Sequence, residues 1–397
     1  MNITYSTKNL TILIWIVNLC AICASTLSYI YLSYYTYKET GSLLYSQIVL
    51  FSPMVLPVVF VGQIYRLSDR ISPRTLLLLS NAVALLVAVL VYSILPTVAL
   101  IAIVGGVAIG TLDALQRVGR IVAIKCYFNS QNVESTVPLT LTAQFIAGGI
   151  AGATMGLVKG EMMPWQAMLI TATLFAIAAG AAFLLPRAER PASGALPPSA
   201  ALIATFSQLM KTTPSLRSSF TSFIIFVSVY QGFFNVSRII LPAHVLGLSE
   251  GYVGLLQAVN SMAALAGAIL YYKLNKRGHR LAPLSMAGAS ALFMMTAAYG
   301  GGFASSYIAN FFYIFFFELA FFKLQSDVVL ATPANAMPLV ASVQYAGVYA
   351  GMILTIFFGS LLVEHIGLFA TSMVFAGSYL IVMKLLSSGL KPVEQTV

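Results

Sequence analysis

"YRLSDRISPR", residues 65–74, is a polar, basic run between two long apolar stretches, and it has a counterpart at residues 271–280, "YYKLNKRGHR". At an offset of 206 residues, Tyr65 pairs with Tyr271, Asp69 with Asn275, Arg70 with Lys276 and Arg74 with Arg280. A second pair lies further along each half: "AQFIAGGIAG" at 143–152 matches "VQYAGVYAG" at 343–351 after a single-residue gap. Two recurrences at corresponding places point to a duplicated chain, in which each half repeats one helical unit.

The runs between these repeats fix the solvent. The chain is 59% hydrophobic and only 8% charged, with a mean hydropathy of +0.91, more apolar surface than one soluble core can use. Apolar stretches of about 20 residues, enough to cross roughly 30 Å of hydrocarbon, recur from end to end. Twelve spans are expected, near 9–34, 43–65, 75–95, 97–119, 136–158, 164–186, 217–243, 250–274, 282–300, 302–325, 336–362 and 368–387. They are continuously apolar, so helices are expected and not barrel strands, which would alternate at period two. The fold class is therefore all-α membrane protein. The Pro-, Ala- and Ser-rich stretch 186–215 is the longest polar break, dividing the chain into an N-terminal bundle at 1–187, a linker at 188–214 and a C-terminal bundle at 215–397. Ala201 to Met210 within it has the pattern of a short interfacial helix.

An even span count puts both termini on one side, and 18 of the 21 basic residues fall there; only Lys38, Lys159 and Arg238 lie opposite. The positive-inside rule makes that side cytoplasmic and the protein a multi-pass resident of the cell (inner) membrane. The first span is too long for a signal peptide and lacks its cleavage pattern, so it is expected to remain as a helix. The formal charge of +10 is dispersed among loops, which excludes a nucleic-acid surface.

With its repeated loop, the chain resembles the major facilitator superfamily of transporters, which has two six-helix halves and a pattern near G-x-x-x-D-R-x-G-R-R after the second span. Asp69, Arg70 and Arg74 match it; Tyr65 and Ser72 stand where the family has glycine, and Pro73 where it has a base. The second-half loop keeps Lys276, Gly278 and Arg280 but has Asn275 for the acid. The resemblance implies that this loop is a gate between the halves, with Asp69 facing the start of span eleven near Asn335, where a helix dipole favours negative charge. Solvated anchoring of the loop is the plainer alternative.

Two acids stand inside spans. Glu318, in "NFFYIFFFELAFFKLQSD" (310–327), and Asp113 in span four each lie 16 residues in, and the 206-residue offset carries Asp113 to within one position of Glu318. At 1.5 Å per residue both lie roughly 24 Å deep, in the inner third. Ionisable groups at that depth are costly and usually face a cavity, a partner or a proton route. The resemblance aims both at a central cavity, since helices one, four, seven and ten line it in the family. Asp113 has Arg117 one turn on. Glu318 has only Ile and Phe at i±3 and i±4, so it is expected to exchange its proton as water or a cation arrives. The alternative is that Glu318 meets Arg117 or Lys323 and merely fixes packing.

Arg238, toward the outer end of span seven, could clamp a substrate carboxylate or snorkel to the surface. Arg117, Asn18, Gln144, Gln231, Asn235, Asn310 and Gln344 are further substrate-contact candidates, with interhelical hydrogen bonding as the bland reading of the amides. The glycines of span five allow close helix approach, but the proline that accompanies them in exporters of the family is missing. Cys20 and Cys23 are packing residues in an apolar span. No metal site, cofactor or enzymatic chemistry is expected, and no phosphate-binding glycine loop supplies ATP energy. The sum is a monomeric secondary transporter working by alternating access, with a small-molecule substrate, protons and the lipid bilayer as partners. It is expected to export a zwitterionic or anionic metabolite, such as a metallophore, or an amphiphilic drug. Proton-coupled import of a sugar or organic acid, and a transporter-like receptor or assembly factor, are the other readings.

Overall fold

Ser72 and Pro73, two of the three departures from the family loop, start a helix. The Ser72 hydroxyl accepts from the Thr75 N–H, and Pro73, which has no N–H to lose, takes the first helical position. Proline opens three more helices in the same way, at Pro164, Pro214 and Pro283. The computed structural model describes residues 7–40, 43–128, 130–157, 162–187, 202–248, 251–279 and 281–389. The helices are α1 (Thr7–Thr40), α2 (Leu43–Val59), α3 (Val61–Arg70), α4 (Pro73–Ile94), α5 (Ile101–Tyr127), α6 (Ser130–Leu157), α7 (Pro164–Phe183), α8 (Leu202–Thr212), α9 (Pro214–Ile240), α10 (Gly251–Lys276), α11 (Pro283–Ala298), α12 (Phe303–Ala331) and α13 (Met337–Gly389).

These make twelve crossings. α2 and α3 form one, broken at Phe60 after Pro53 and Pro57 have removed two N–H donors from α2. α13 forms two, because Gly367 takes φ 79°, a backbone conformation that side chains disfavour and that turns the chain back. The bundle end where α1 starts is called here the base and the opposite end the rim. α8 lies at the base, its Leu202 packed with Tyr65 and Leu339, so the side chain that replaces a family glycine at 65 seats the linker helix. The rest of the linker, 188–201, and Arg280 lie outside the described residues.

The two six-helix sets repeat their pairings. α1 packs on α6 and α4 on α5 and α7; α9 packs on α13 and α11 on α12 and α13. Between the sets, α6 meets α10 and α12, and α13 meets α2, α3 and α5. One apolar core spans both sets near the base, with Leu76, Val118 and Ile121 beside Tyr271, Phe322 and Met337. The outer surface carries large exposed apolar side chains, Leu86, Leu90, Leu292, Phe357 and Ile381 among them, as lipid requires.

Close approach of α5 to α2 rests on Gly110, where an added Cβ would collide with the Pro53 backbone. Gly110→Leu is therefore expected to destabilise the fold by about 3 kcal/mol or more. Gly180→Leu, whose added Cβ meets nothing within 4 Å, should leave thermal unfolding in detergent unchanged. Equal unfolding temperatures for the two variants would refute the packing argument.

Candidate functional site

α5 carries a polar stripe through the bundle. Asp113, Gln116, Arg117 and Arg120 recur at spacings of three and four and so share one face. Arg117 Nε donates to Asp113 Oδ2 at 2.8 Å, as the one-turn spacing predicts, while Asp113 Oδ1 stays buried without a partner. Tyr29 of α1 and Tyr349 of α13 lie within electrostatic reach of both members of the pair. Arg120 is 1% exposed and its Nη2 donates to the Tyr345 hydroxyl of α13 at 3.1 Å. Five residues further on, Lys125 Nζ donates to the Val329 carbonyl of α12 at 2.9 Å, so two cations of α5 bond across to the second set of helices.

α12 carries the second stripe. Asn310, Ile314, Glu318, Phe321 and Gln325 share a face, flanked by Phe317 against Phe226 of α9 and by Phe322 against Phe145 of α6 and Tyr271 of α10. Glu318 is 3% exposed, its Oε2 has no hydrogen-bond partner, and no ion pair reaches it among the described residues. Lys323, one alternative partner, bonds Asp327 at 2.7 Å, and Arg117, the other, bonds Asp113. Gly267 of α10 lies directly against the Glu318 Cβ and leaves it room.

The expected start of span four needs correction. α5 begins at Ile101 and not at 97, so Asp113 lies at the middle of its helix, and Glu318 just past the middle of α12. Their surroundings also differ: Asp113 is turned toward α1 and α13, Glu318 toward α10.

The other candidates scatter. Asn18 Nδ2 bonds the Thr140 carbonyl of α6 at 3.3 Å, and Gln344 Nε2 donates to Gln325 Oε1 at 2.6 Å. Gln144, the repeat partner of Gln344, is half-buried. Asn310 is buried with Nδ2 unpaired among the described residues, whereas Asn235 bonds the Gln231 carbonyl of its own helix, at 2.9 Å. Arg238 is half-buried two residues before the end of α9, without an ion pair among the described residues. Asp69 is buried at the end of α3, which packs along α13; Arg70 is exposed, and Arg74 sits 5.0 Å over the Phe183 ring. No cluster of His, Cys, Asp and Glu suited to a metal occurs among the described residues.

Arg120, Gln116 and Gln325 escaped the sequence reading. Hydropathy ends the fourth span at residue 119 and leaves Arg120 at the basic edge of the membrane, but α5 continues to Tyr127 and buries it. The signal available was its place seven residues after Asp113, on the acid's own face.

Twelve crossings in two like sets, with charges buried between them, define a membrane transport protein. The sequence matches the family model of the Major Facilitator Superfamily over residues 14–341, and the chain belongs to that family; it is a transporter, not an enzyme. None of the curated proteins matches it. Among solved structures, it is similar to the human organic anion transporter MFSD10 (TETRAN), at 14% identity and a TM-score of 0.74 over 96% of this chain and 99% of that one. A bacterial homologue of the iron transporter ferroportin in an outward-facing state shares 12% identity and a TM-score of 0.73, covering 96% and 99%. The E. coli fucose:proton symporter FucP shares 13% and 0.73, covering 96% and 98%. At these identities the likeness is one of fold alone.

Proposed function

We propose that this chain is a proton-coupled carrier that exports a small anionic or zwitterionic organic molecule by alternating access, with Glu318 as the group that takes up and releases the proton. The observation that carries this reading is the unpartnered Glu318 oxygen in the middle of α12. A charge there has no counter-ion among the described residues, and a proton is the smallest ligand that removes it. Asp113, already neutralised by Arg117, is a second acid that a change in cavity charge would release. Arg238, Asn310 and the Gln344–Gln325 pair are the proposed substrate contacts, and the Asp69 loop, packed beside the start of α13, the proposed gate. The basic residues on the terminus-bearing side support cytoplasmic termini in the inner membrane, with the halves meeting in the linker 188–214.

Proteoliposomes loaded with a pH-sensitive dye test this. Addition of a transported organic anion should move protons against the solute; movement with the solute would make the carrier a symporter and overturn export by exchange. If no anion, zwitterion, sugar or amphiphilic cation moved protons, the coupling reading would be lost.

A further inference from the structure

We propose that Arg120, Gln116 and Tyr345 form an anion-binding subsite between the two sets of helices, taking a carboxylate or like oxyanion of the transported solute. The inference rests on the transport reading above and names the charged part of the cargo.

Arg120 is a cation with almost nothing to balance it. It is 1% exposed, and among the described residues its one hydrogen bond runs from Nη2 to the Tyr345 hydroxyl while its Nε and Nη1 have no partner. A guanidinium does not shed its proton, so the charge stays in a medium where an uncompensated ion is costly. The nearest acid on its own helix face, Asp113, is about 10 Å away along the axis and already bonded to Arg117. Gln116, one turn from Arg120 on the same face, is 5% exposed with both amide atoms unpaired. The Tyr345 hydroxyl accepts from Arg120, which leaves its own hydrogen free to donate.

The complement of these donors is a compact oxyanion that accepts several hydrogen bonds and supplies one negative charge. A cation would be repelled, and a neutral solute would leave the guanidinium unbalanced. The Tyr345 and Tyr349 rings, 6.4 Å apart, add apolar surface beside the site. Because Arg120 belongs to α5 and Tyr345 to α13, an anion bound there would touch both halves and bias the equilibrium between their arrangements.

Thermal unfolding of the full-length protein in detergent distinguishes this from a structural latch. Benzoate is expected to raise the unfolding temperature saturably, while benzamide and benzylammonium do not. Arg120→Gln should lose the benzoate shift and, with no ligand present, unfold a few degrees higher, since it removes an unbalanced buried cation. Arg120→Lys should keep a reduced shift. A latch role predicts the reverse for the unliganded protein, a lower unfolding temperature for Arg120→Gln, and that result overturns the proposal. So does an equal shift with benzamide, a benzoate shift lost in Arg238→Gln but kept in Arg120→Gln, or no shift with any carboxylate, sulfonate or phosphate tried. Proton-coupled movement of a cationic or neutral solute alone would sink the subsite and the anionic cargo together and leave only the proton coupling standing. A benzoate shift lost in Arg120→Gln, with no solute driving protons, would sink the coupling reading and leave the subsite.

Discussion

Glu318→Gln is expected to lower solute-driven proton movement by about a hundredfold, the low end of what a positioned proton-transfer group contributes. The substitution keeps the shape and the polar atoms of the side chain and removes only its capacity to exchange a proton. Since, among the described residues, Glu318 Oε2 has no partner and no ion pair reaches the carboxyl, the variant should fold at least as stably as the parent. The measurement pairs the pH-dye signal with counterflow of labelled solute, which needs no net proton movement. Loss of the dye signal with counterflow retained identifies uncoupling. Wild-type proton movement in the variant would remove Glu318 from the mechanism, and loss of both signals in a folded protein would make it a substrate contact instead.

Arg117→Leu is expected to destabilise the fold strongly, through the charge it leaves behind. Among the described residues, Arg117 Nε alone donates to the Asp113 carboxylate, and the two side chains are 24% and 6% exposed. Removing one partner of a buried pair leaves the other charge uncompensated, which costs about 3–5 kcal/mol. The partial exposure of the guanidinium puts this site near 3, about the lower bound of that range. The double variant Asp113→Asn/Arg117→Leu removes the orphaned charge and should recover most of the loss, giving a coupling energy of about 2 kcal/mol in the cycle. Additive losses in thermal or denaturant unfolding would show that the pair contributes nothing as a pair.

Much of the architecture was legible because the signals are local. Apolar length set the crossings, and the repeat of Tyr65–Arg74 at Tyr271–Arg280 gave the duplication. The sequence placed a helix start after the first of these loops without giving the reason that Ser72 and Pro73 replace a glycine and a base, which is cap chemistry. The site was legible in part. One-turn spacing is enough to pair Asp113 with Arg117, and the run of aromatics around Glu318 is enough to deny it a neighbour on its own helix. Arg120 was misread because hydropathy ends a span where charge begins, whereas a helix continues as long as its backbone hydrogen bonds do and its polar side chains find room between other helices.

Composition, apolar length and repetition by themselves determined an all-helical bundle of twelve crossings in two like halves, since each depends on one segment and the solvent it must satisfy. Only the tertiary structure decided which buried polar atoms are paired. It separated Asp113, facing α1 and α13, from Glu318, facing α10, and it carried Arg120 inside, against Tyr345. Those outcomes depend on which face of one helix meets which face of another, and residues as far apart as 120 and 345 carry no local pattern that announces their contact.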